Sequence, residues 1–371
     1  MSGYADEYVA GDGIYLLNHS VGRPPISAAD ALQQSFMRPW LDGKADVWPS
    51  WLQCIDKFRE LMAQLLNTSS ALVCPQVNLS SATAKILFSL PKPEARSTIL
   101  LSEDDFPSMA FVLGKTALLG YQLKFIPGQE DTLDIDVWRR YLTDDVAFAV
   151  VTHVHSNTGR LQPAREIMHL ARERGVLSIF DIAQSVGVVP VDLLSINPDF
   201  AVGSCVKWLC GGPGAGFLWA HAEIIDRCQP LDVGWFSHEN PFEFDIHQFR
   251  YAPDALRFWG GTPSVAPYAI AANSLELIHR IGVETVRKHN QLLIQQLIDA
   301  IEPGMVRSPL QQQSRGGTLV LNFGPHQAQV IDNLKAINVH FDSRATGMRL
   351  SPHIYNDLTE INTVIEHGFS L

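Results

Sequence analysis

Residues 181–216 read Asp181-Ile-Ala-Gln184-Ser-Val-Gly-Val-Val-Pro-Val-Asp-Leu-Leu-Ser-Ile-Asn-Pro-Asp-Phe200-Ala-Val-Gly-Ser204-Cys-Val-Lys207-Trp-Leu-Cys-Gly-Gly-Pro-Gly-Ala-Gly216. An acid ends one apolar run, Val176-Leu-Ser-Ile-Phe180, and a lysine stands 26 positions later, just past a second, Phe200-Ala-Val-Gly-Ser204. A glycine-rich loop follows the lysine and leads into a third run, Gly216-Phe-Leu-Trp-Ala220. Short runs of this kind predict strands buried on both faces. In an open α/β sheet the carboxyl ends of the strands line the ligand crevice, so Asp181 and Lys207 are expected to meet there.

Working outward, Val146-Ala-Phe-Ala-Val-Val-Thr152 is a further apolar strand, followed by a helix over 163–174 that Gly175 stops. Ser97–Leu101 and Tyr121–Ile126 read as strands around a helix at 107–119. Strand and helix alternating at this spacing predict an α/β fold with a large, mostly parallel sheet. Beyond residue 265 come two long helices, 266–281 and 283–301, then strands near 318–322 and 337–341 and a last helix from Asn356. The expected division is a large α/β domain over 20–265 and a smaller C-terminal α+β domain over 266–371, with 1–19 packing beside the latter.

The 371 residues carry 28 Lys and Arg against 39 Asp and Glu, a net charge of -11, which argues against nucleic acid as a partner. No apolar run is long enough to span a membrane, and the acidic N-terminus does not resemble a secretory signal. The five cysteines show no paired CxxC, so reduced thiols and a cytoplasmic setting are expected.

A lysine between Val206 and Trp208 is costly to bury in its charged form. Held neutral, it is a nucleophile for carbonyl carbon. An acid beside such a lysine fits a pyridoxal phosphate site: the lysine forms the Schiff base, and the carboxylate keeps the pyridine nitrogen protonated. The plainer alternative is a lysine that reaches water and an aspartate that caps the turn at Ala183. The run Gly211-Gly-Pro-Gly-Ala-Gly216 precedes a strand rather than a helix and lacks GxGxxG spacing, so a dinucleotide site is not expected.

The chain resembles fold-type I pyridoxal phosphate enzymes of the class V aminotransferase superfamily along essentially its whole length. Asp181-Ile-Ala-Gln184-Ser-Val-Gly is similar to the family's D-x-A-Q-S-x-G, and Ser204-Cys-Val-Lys207 to its S-x-x-K. Arg257-Phe-Trp-Gly-Gly-Thr262-Pro resembles R-F-x-x-G-T-P, and Arg349-Leu-Ser-Pro-His-Ile-Tyr355-Asn356 resembles R-x-S-x-x-Y-N. Ile14-Tyr-Leu-Leu-Asn-His-Ser-Val-Gly22 is similar to the opening motif. Phe106-Pro-Ser108, Gly234-Trp-Phe-Ser-His-Glu239 and Thr158-Gly159 look more like kynureninase.

The resemblance implies roles. Lys207 is the Schiff-base lysine, Asp181 pairs with the pyridinium nitrogen, and Gln184 sits near the phenolic oxygen. Phe106 stacks on the ring, and Thr152 bonds near its edge. Ser204 and the amides of Gln76 and Val77 take the phosphate. Trp235 and Thr262 reach the cofactor of a partner subunit, which implies a homodimer with shared sites. Arg349 clamps an amino-acid α-carboxylate, with His155, Asn157 and His19 lining the substrate pocket.

Three positions depart from kynureninase: Val206 replaces Tyr, Gln184 replaces His, and Thr262 replaces Asn. Residues 341–348, where a desulfurase carries its cysteine, have none. The expected activity is therefore a class V transamination. Kynureninase-like hydrolysis and carbon–sulfur β-elimination are the alternatives, and a non-catalytic homologue is a further one. His153 and His155 form an H-x-H without a third ligand, so no metal is expected. Arg344 is read as a surface residue, or else a second site for an anionic group.

Overall fold

The computed structural model describes residues 3–43 and 46–370. Its first strand, β1 (Ile14–Tyr15), lies apart from the large sheet. The sheet itself is built from β2 (Val73–Gln76), β3 (Thr98–Ser102), β4 (Gln122–Ile126), β5 (Val146–Thr152), β6 (Leu177–Asp181), β7 (Phe200–Ser204) and β8 (Gly216–Ala220). These seven strands run in the order β2-β8-β7-β6-β5-β3-β4. The five from β7 to β4 are parallel, while β8 is antiparallel to both β7 and β2.

Both faces of the sheet are covered, and β5 shows why its sequence lacks polar alternation. Ala149 and Val151 enter one core, with Phe58 and Met62 of the helix Trp48–Leu65 and Leu275 and Ile278 of the helix Ala266–Ile281. Phe148 and Val150 enter the other, with Ile86 of the helix Leu79–Leu87 and Leu113 of the helix Pro107–Gly114. A strand with both faces buried in this way has no polar position to spare.

The strands read from sequence lie within one residue of their expected bounds in the large sheet. Strand β2 and the helices at 48–65 and 79–87 had no sequence reading. Pro75 masks β2, because proline cannot donate to a ladder; it is tolerated here since β2 is an edge strand paired only with β8.

The C-terminal part has its own core. Leu293, Ile294 and Leu297 pack with Leu319, Leu321, Met348, Leu350 and Ile361. It is organised on an antiparallel sheet in the order β11-β12-β9, from β9 (Leu319–Leu321), β11 (Asp342–Arg344) and β12 (Gly347–Leu350). The residues of helix Ala266–Ile281 pack with the large sheet instead. Leu16 is buried in the C-terminal core, and β1 pairs in parallel with β10 (Val339–His340). The stretch from Ile14 to Leu16 thus packs with the C-terminal core. Among the described residues, no helix is long and apolar enough to cross a membrane.

Candidate active site

The site lies at the carboxyl ends of β5, β6 and β7. Register places Thr152, the last residue of β5, directly beside Asp181, the last residue of β6. β7 neighbours β6 and ends at Ser204, and the turn after it carries Lys207. Cys210 closes that turn by donating its N–H to the Lys207 carbonyl at 3.0 Å, with a left-handed φ of 55°. The chain at Gly22 passes against the same turn, with its N–H on Val206 O at 2.8 Å. A Cβ at Gly22 would meet the Lys207 carbonyl at 2.2 Å, so only glycine fits this crossing.

Lys207, Asp181, Thr152, Phe106, Gln184 and Ser204 line one cavity of about 200 Å³, together with Asn78–Ser80, Ser156 and Val206. Lys207 Nζ stands 5.8 Å from the centre of the Phe106 ring. Phe106 is the N-cap of helix Pro107–Gly114, which fixes it at the cavity wall. Gln184 is held at both ends: its Nε2 donates to His19 O at 3.0 Å and its Oε1 accepts from Trp208 Nε1 at 3.1 Å.

The electrostatics set two opposed groups in one space. Burial pushes the Asp181 carboxyl up to about 6, although the Ala183 N–H, donated to Asp181 Oδ1 at 2.9 Å, and Lys207 pull it down. Burial lowers the Lys207 amine to about 8, opposed by Asp181 and assisted by Arg349 and Arg344. Burial thus works against the charged form of both groups, and it brings the neutral amine of Lys207 nearer to hand than that of an exposed lysine. The turn-capping bond is present and Lys207 lines the same cavity, so the two readings of Asp181 are not exclusive.

These residues fit pyridoxal phosphate. An amine of lowered pKa shares the cavity with a buried acid and an aromatic plate. Among the described residues, Thr152 Oγ1 is buried with no protein partner, and Thr152 lines that cavity with a hydroxyl to give. The helix Leu79–Leu87 opens onto it with Asn78, Leu79 and Ser80, and a helix N-terminus suits a phosphate. This stretch begins two residues beyond the pair read from sequence. Gln76 spends its side chain on Phe258 O at 2.9 Å and Cys74 Sγ at 3.3 Å, and Val77 is half exposed. Both line a neighbouring cavity with Thr262 and Lys85. Trp235 donates Nε1 to Thr262 Oγ1 at 3.3 Å, and neither residue lines the Lys207 cavity.

The residues read as substrate-lining divide. His155 is buried away from the cavity, with Asp105 Oδ1 at 3.5 Å and Asp104 Oδ2 at 3.8 Å. Ser156, one residue on, lines the cavity, and its Oγ has no protein partner among the described residues. Asn157 instead accepts from Arg344 Nη1 at 2.9 Å. His153 turns to the Phe180 ring at 4.8 Å, so the two histidines do not converge. His19 is buried, bonded to Ser351 Oγ at 2.7 Å through Nδ1 and 3.4 Å from Asp342 Oδ1 through Nε2. Arg349 is 2% exposed and donates Nη1 to Ser156 O at 3.0 Å, Nε to Asp342 Oδ1 at 2.6 Å, and Nη2 to Asp342 Oδ2.

Asp342 and Ser156 carry no signal in a linear motif. A hairpin turning at Ala345-Thr346 would have placed Asp342 opposite Arg349, and that is the observed register. Gly347 permits the turn, with a φ of 146° and a backbone that leaves a Cβ only 2.2 Å from Leu321 O.

The aminotransferase class V family profile matches residues 49–364. The chain belongs to this family, whose enzymes use pyridoxal phosphate. Among curated proteins, a kynureninase of Deinococcus radiodurans is 30% identical over 349 residues, covering 90% of this chain and 83% of its own. An uncharacterized aminotransferase of Bacillus subtilis, YcbU, is 26% identical over 321 residues, covering 85% and 84%. Among solved structures, the cystine C–S lyase C-DES, determined with its product cysteine persulfide, superposes with a TM-score of 0.85 at 21% identity, covering 96% of this chain and 98% of its own. A cysteine desulfurase of Thermococcus onnurineus superposes with a TM-score of 0.84 at 20% identity, covering 95% and 93%. These structures share the fold.

Proposed function

We propose that this enzyme binds pyridoxal phosphate at Lys207 and acts on the Cα–H bond of an amino acid, completing a transamination. The observation that carries the reading is the convergence of Lys207, Asp181 and Phe106 on one cavity. Bound there, pyridoxal phosphate supplies an electron sink for the electrons of the broken Cα–H bond. Asp181 holds a proton at the ring nitrogen by staying ionised beside it. Phe106 covers one face of the ring and keeps water from it. Asn78–Ser80, with Ser204, receive the phosphate, and Thr152 Oγ1 gives its hydrogen bond to the ring edge. Lys207 Nζ would carry the α-proton, and its lowered pKa would suit it to accept and return one near neutral pH. Arg349 receives the substrate carboxylate.

Trp235 and Thr262 act in this reading on the cofactor of a second copy, in a homodimer. That neither lines the Lys207 cavity of its own chain supports it. So does an exposed apolar loop beside Trp235, with Phe244 71% and Ile246 91% exposed. The five free, buried thiols support a reducing, cytoplasmic setting.

Kynureninase-type hydrolysis is the second reading, favoured by the 30% identity to a curated kynureninase. Val206 counts against it, since its side chain can neither donate a proton nor hold one. A panel of amino acids decides between them. Pyridoxamine phosphate marks transamination, alanine with an aromatic acid marks hydrolysis, and pyruvate with ammonia marks β-elimination.

A further inference from the structure

The Arg349 guanidinium carries five N–H donors. Two of them, on Nε and Nη2, meet the two carboxylate oxygens of Asp342, and one on Nη1 goes to Ser156 O. Two remain, one on each terminal nitrogen. A planar fork paired with a planar carboxylate is also the arrangement in which an arginine receives a substrate carboxylate. Here an internal carboxylate already holds it.

Asp342 is placed so that it can exchange. Its side chain is 33% exposed, while that of Arg349 is 2% exposed. It has other partners in reach: His19 Nε2 at 3.4 Å and Arg344 Nε at 3.8 Å. Arg344 in turn donates to Asn157, next to the cavity residue Ser156. Both guanidiniums lie near enough to Lys207 to lower its pKa. The cluster thus holds two guanidiniums and one carboxylate, with room in its charge balance for one more anion.

We propose that Asp342 is a specificity-determining residue, an internal carboxylate that competes with the carboxylate of the substrate for Arg349. An incoming carboxylate takes the Nε–Nη2 fork by sending Asp342 to Arg344 and His19, or takes the two remaining donors against the charge of Asp342. Either route weakens carboxylate binding relative to an unpaired arginine. The site therefore discriminates against carboxylates that lack other contacts to offset the exchange. This inference rests on the substrate role of Arg349 in the reading above.

The test uses Asp342→Asn, with Asp342→Ser as a second variant of smaller volume. Propionate binding is measured by calorimetry on the cofactor-free protein. On the protein loaded with pyridoxal phosphate, the rate of oxime formation with aminooxyacetate is divided by that with methoxyamine, which lacks the carboxylate. Both variants should bind propionate at least tenfold more tightly than the unaltered protein. Their rate ratio should rise at least tenfold, with the methoxyamine rate unchanged. Unchanged or weaker propionate binding and an unchanged or lower ratio would overturn the proposal and make Asp342 a group that only orients Arg349. Failure of the unaltered protein to take up pyridoxal phosphate on Lys207 would instead remove the functional reading, and the propionate measurement still judges Asp342.

Discussion

Arg349 and Asp342 face each other across the hairpin of β11 and β12, with two guanidinium N–H groups set against the two carboxylate oxygens. Burial alone would raise the Asp342 carboxyl, and the hydrogen bonds from Arg349, with His19 close by, overcome that and hold it well below the usual carboxylate range. Arg349→Lys removes the planar fork and keeps the charge. It should load pyridoxal phosphate normally, because the role proposed for Arg349 is toward substrate and it does not line the Lys207 cavity. Its kcat/KM for amino acids should fall ~10- to 100-fold, about 1.5–3 kcal/mol for a charged hydrogen bond, and much less for the decarboxylated amines. Equal losses for amines and amino acids would place the carboxylate contact elsewhere.

Lys207 is the lysine that should carry the cofactor. Borohydride reduction of the loaded protein followed by peptide mass mapping should find the phosphopyridoxyl group there. Lys85, which spends Nζ on Phe258 O and Trp259 O at 2.8 Å each, should remain unmodified. A label on any other lysine contradicts the site.

Asp181→Asn should retain cofactor binding and lose most α-proton exchange. Loss of one charged hydrogen bond at a developing charge costs on the order of 3 kcal/mol, or ~100-fold in rate. Exchange of substrate deuterium followed by NMR measures this directly, and a near-normal rate would refute the role.

The same substitution makes a pH signature in the cofactor-free protein. Asp181 titrates near 6 when folded against 3.8 for the free group, so the folded state disfavours its ionised form. That cost is absent below about pH 4 and complete above about pH 6. Asp181→Asn should therefore gain stability relative to the unaltered protein as pH rises through this window, by on the order of 2–3 kcal/mol. Denaturant unfolding at pH 4 and pH 7 measures the gain. A stability difference that stays flat with pH, or has the opposite sign, would show that Asp181 ionises freely in the fold.

Sharing of sites between subunits is tested by mixing. Lys207→Ala and a Thr262→Ala variant should each be inactive alone. Exchanged hybrids should recover activity, since one site of each hybrid dimer keeps both groups. No recovery after exchange has been confirmed by mass would confine both residues to one chain.

Much of the site was legible because its residues sit at strand ends. Apolar runs such as Val146–Thr152 can only be strands with both faces covered, and the residue ending each run then faces the crevice. Asp181 and Lys207 follow from that rule, whereas Thr152 and Ser204 come from the family resemblance and also stand at strand ends. Residues whose place depends on pairing between elements were not legible. Asp342 meets Arg349 only through the register of β11 on β12, which linear order does not state. The helix Leu79–Leu87, which had no reading of its own, opens onto the cavity at Asn78, two residues past the Gln76–Val77 pair expected at the phosphate. His155 and Ser156 differ by one step along a loop. That step decides which is sealed behind Asp104 and Asp105 and which faces the cavity.

The segment 18–22 passes between the Lys207 turn and residues 351–355. Gly22 bonds to Val206, Asn18 Nδ2 reaches Lys207 O at 3.4 Å, and His19 meets Ser351. Asn18 Oδ1 also accepts from the hydroxyl of Tyr355. During synthesis the earliest-made of these three pieces must therefore wait for the latest-made one. Until residue 355 has left the ribosome, the 18–22 segment lacks its partners Ser351 and Tyr355, so this crossing is fastened only when translation is nearly finished. A nascent chain arrested before residue 340 should accordingly have its large sheet formed while the strap over the lysine turn is still loose, which makes the fastening of that strap a late event in the birth of this enzyme.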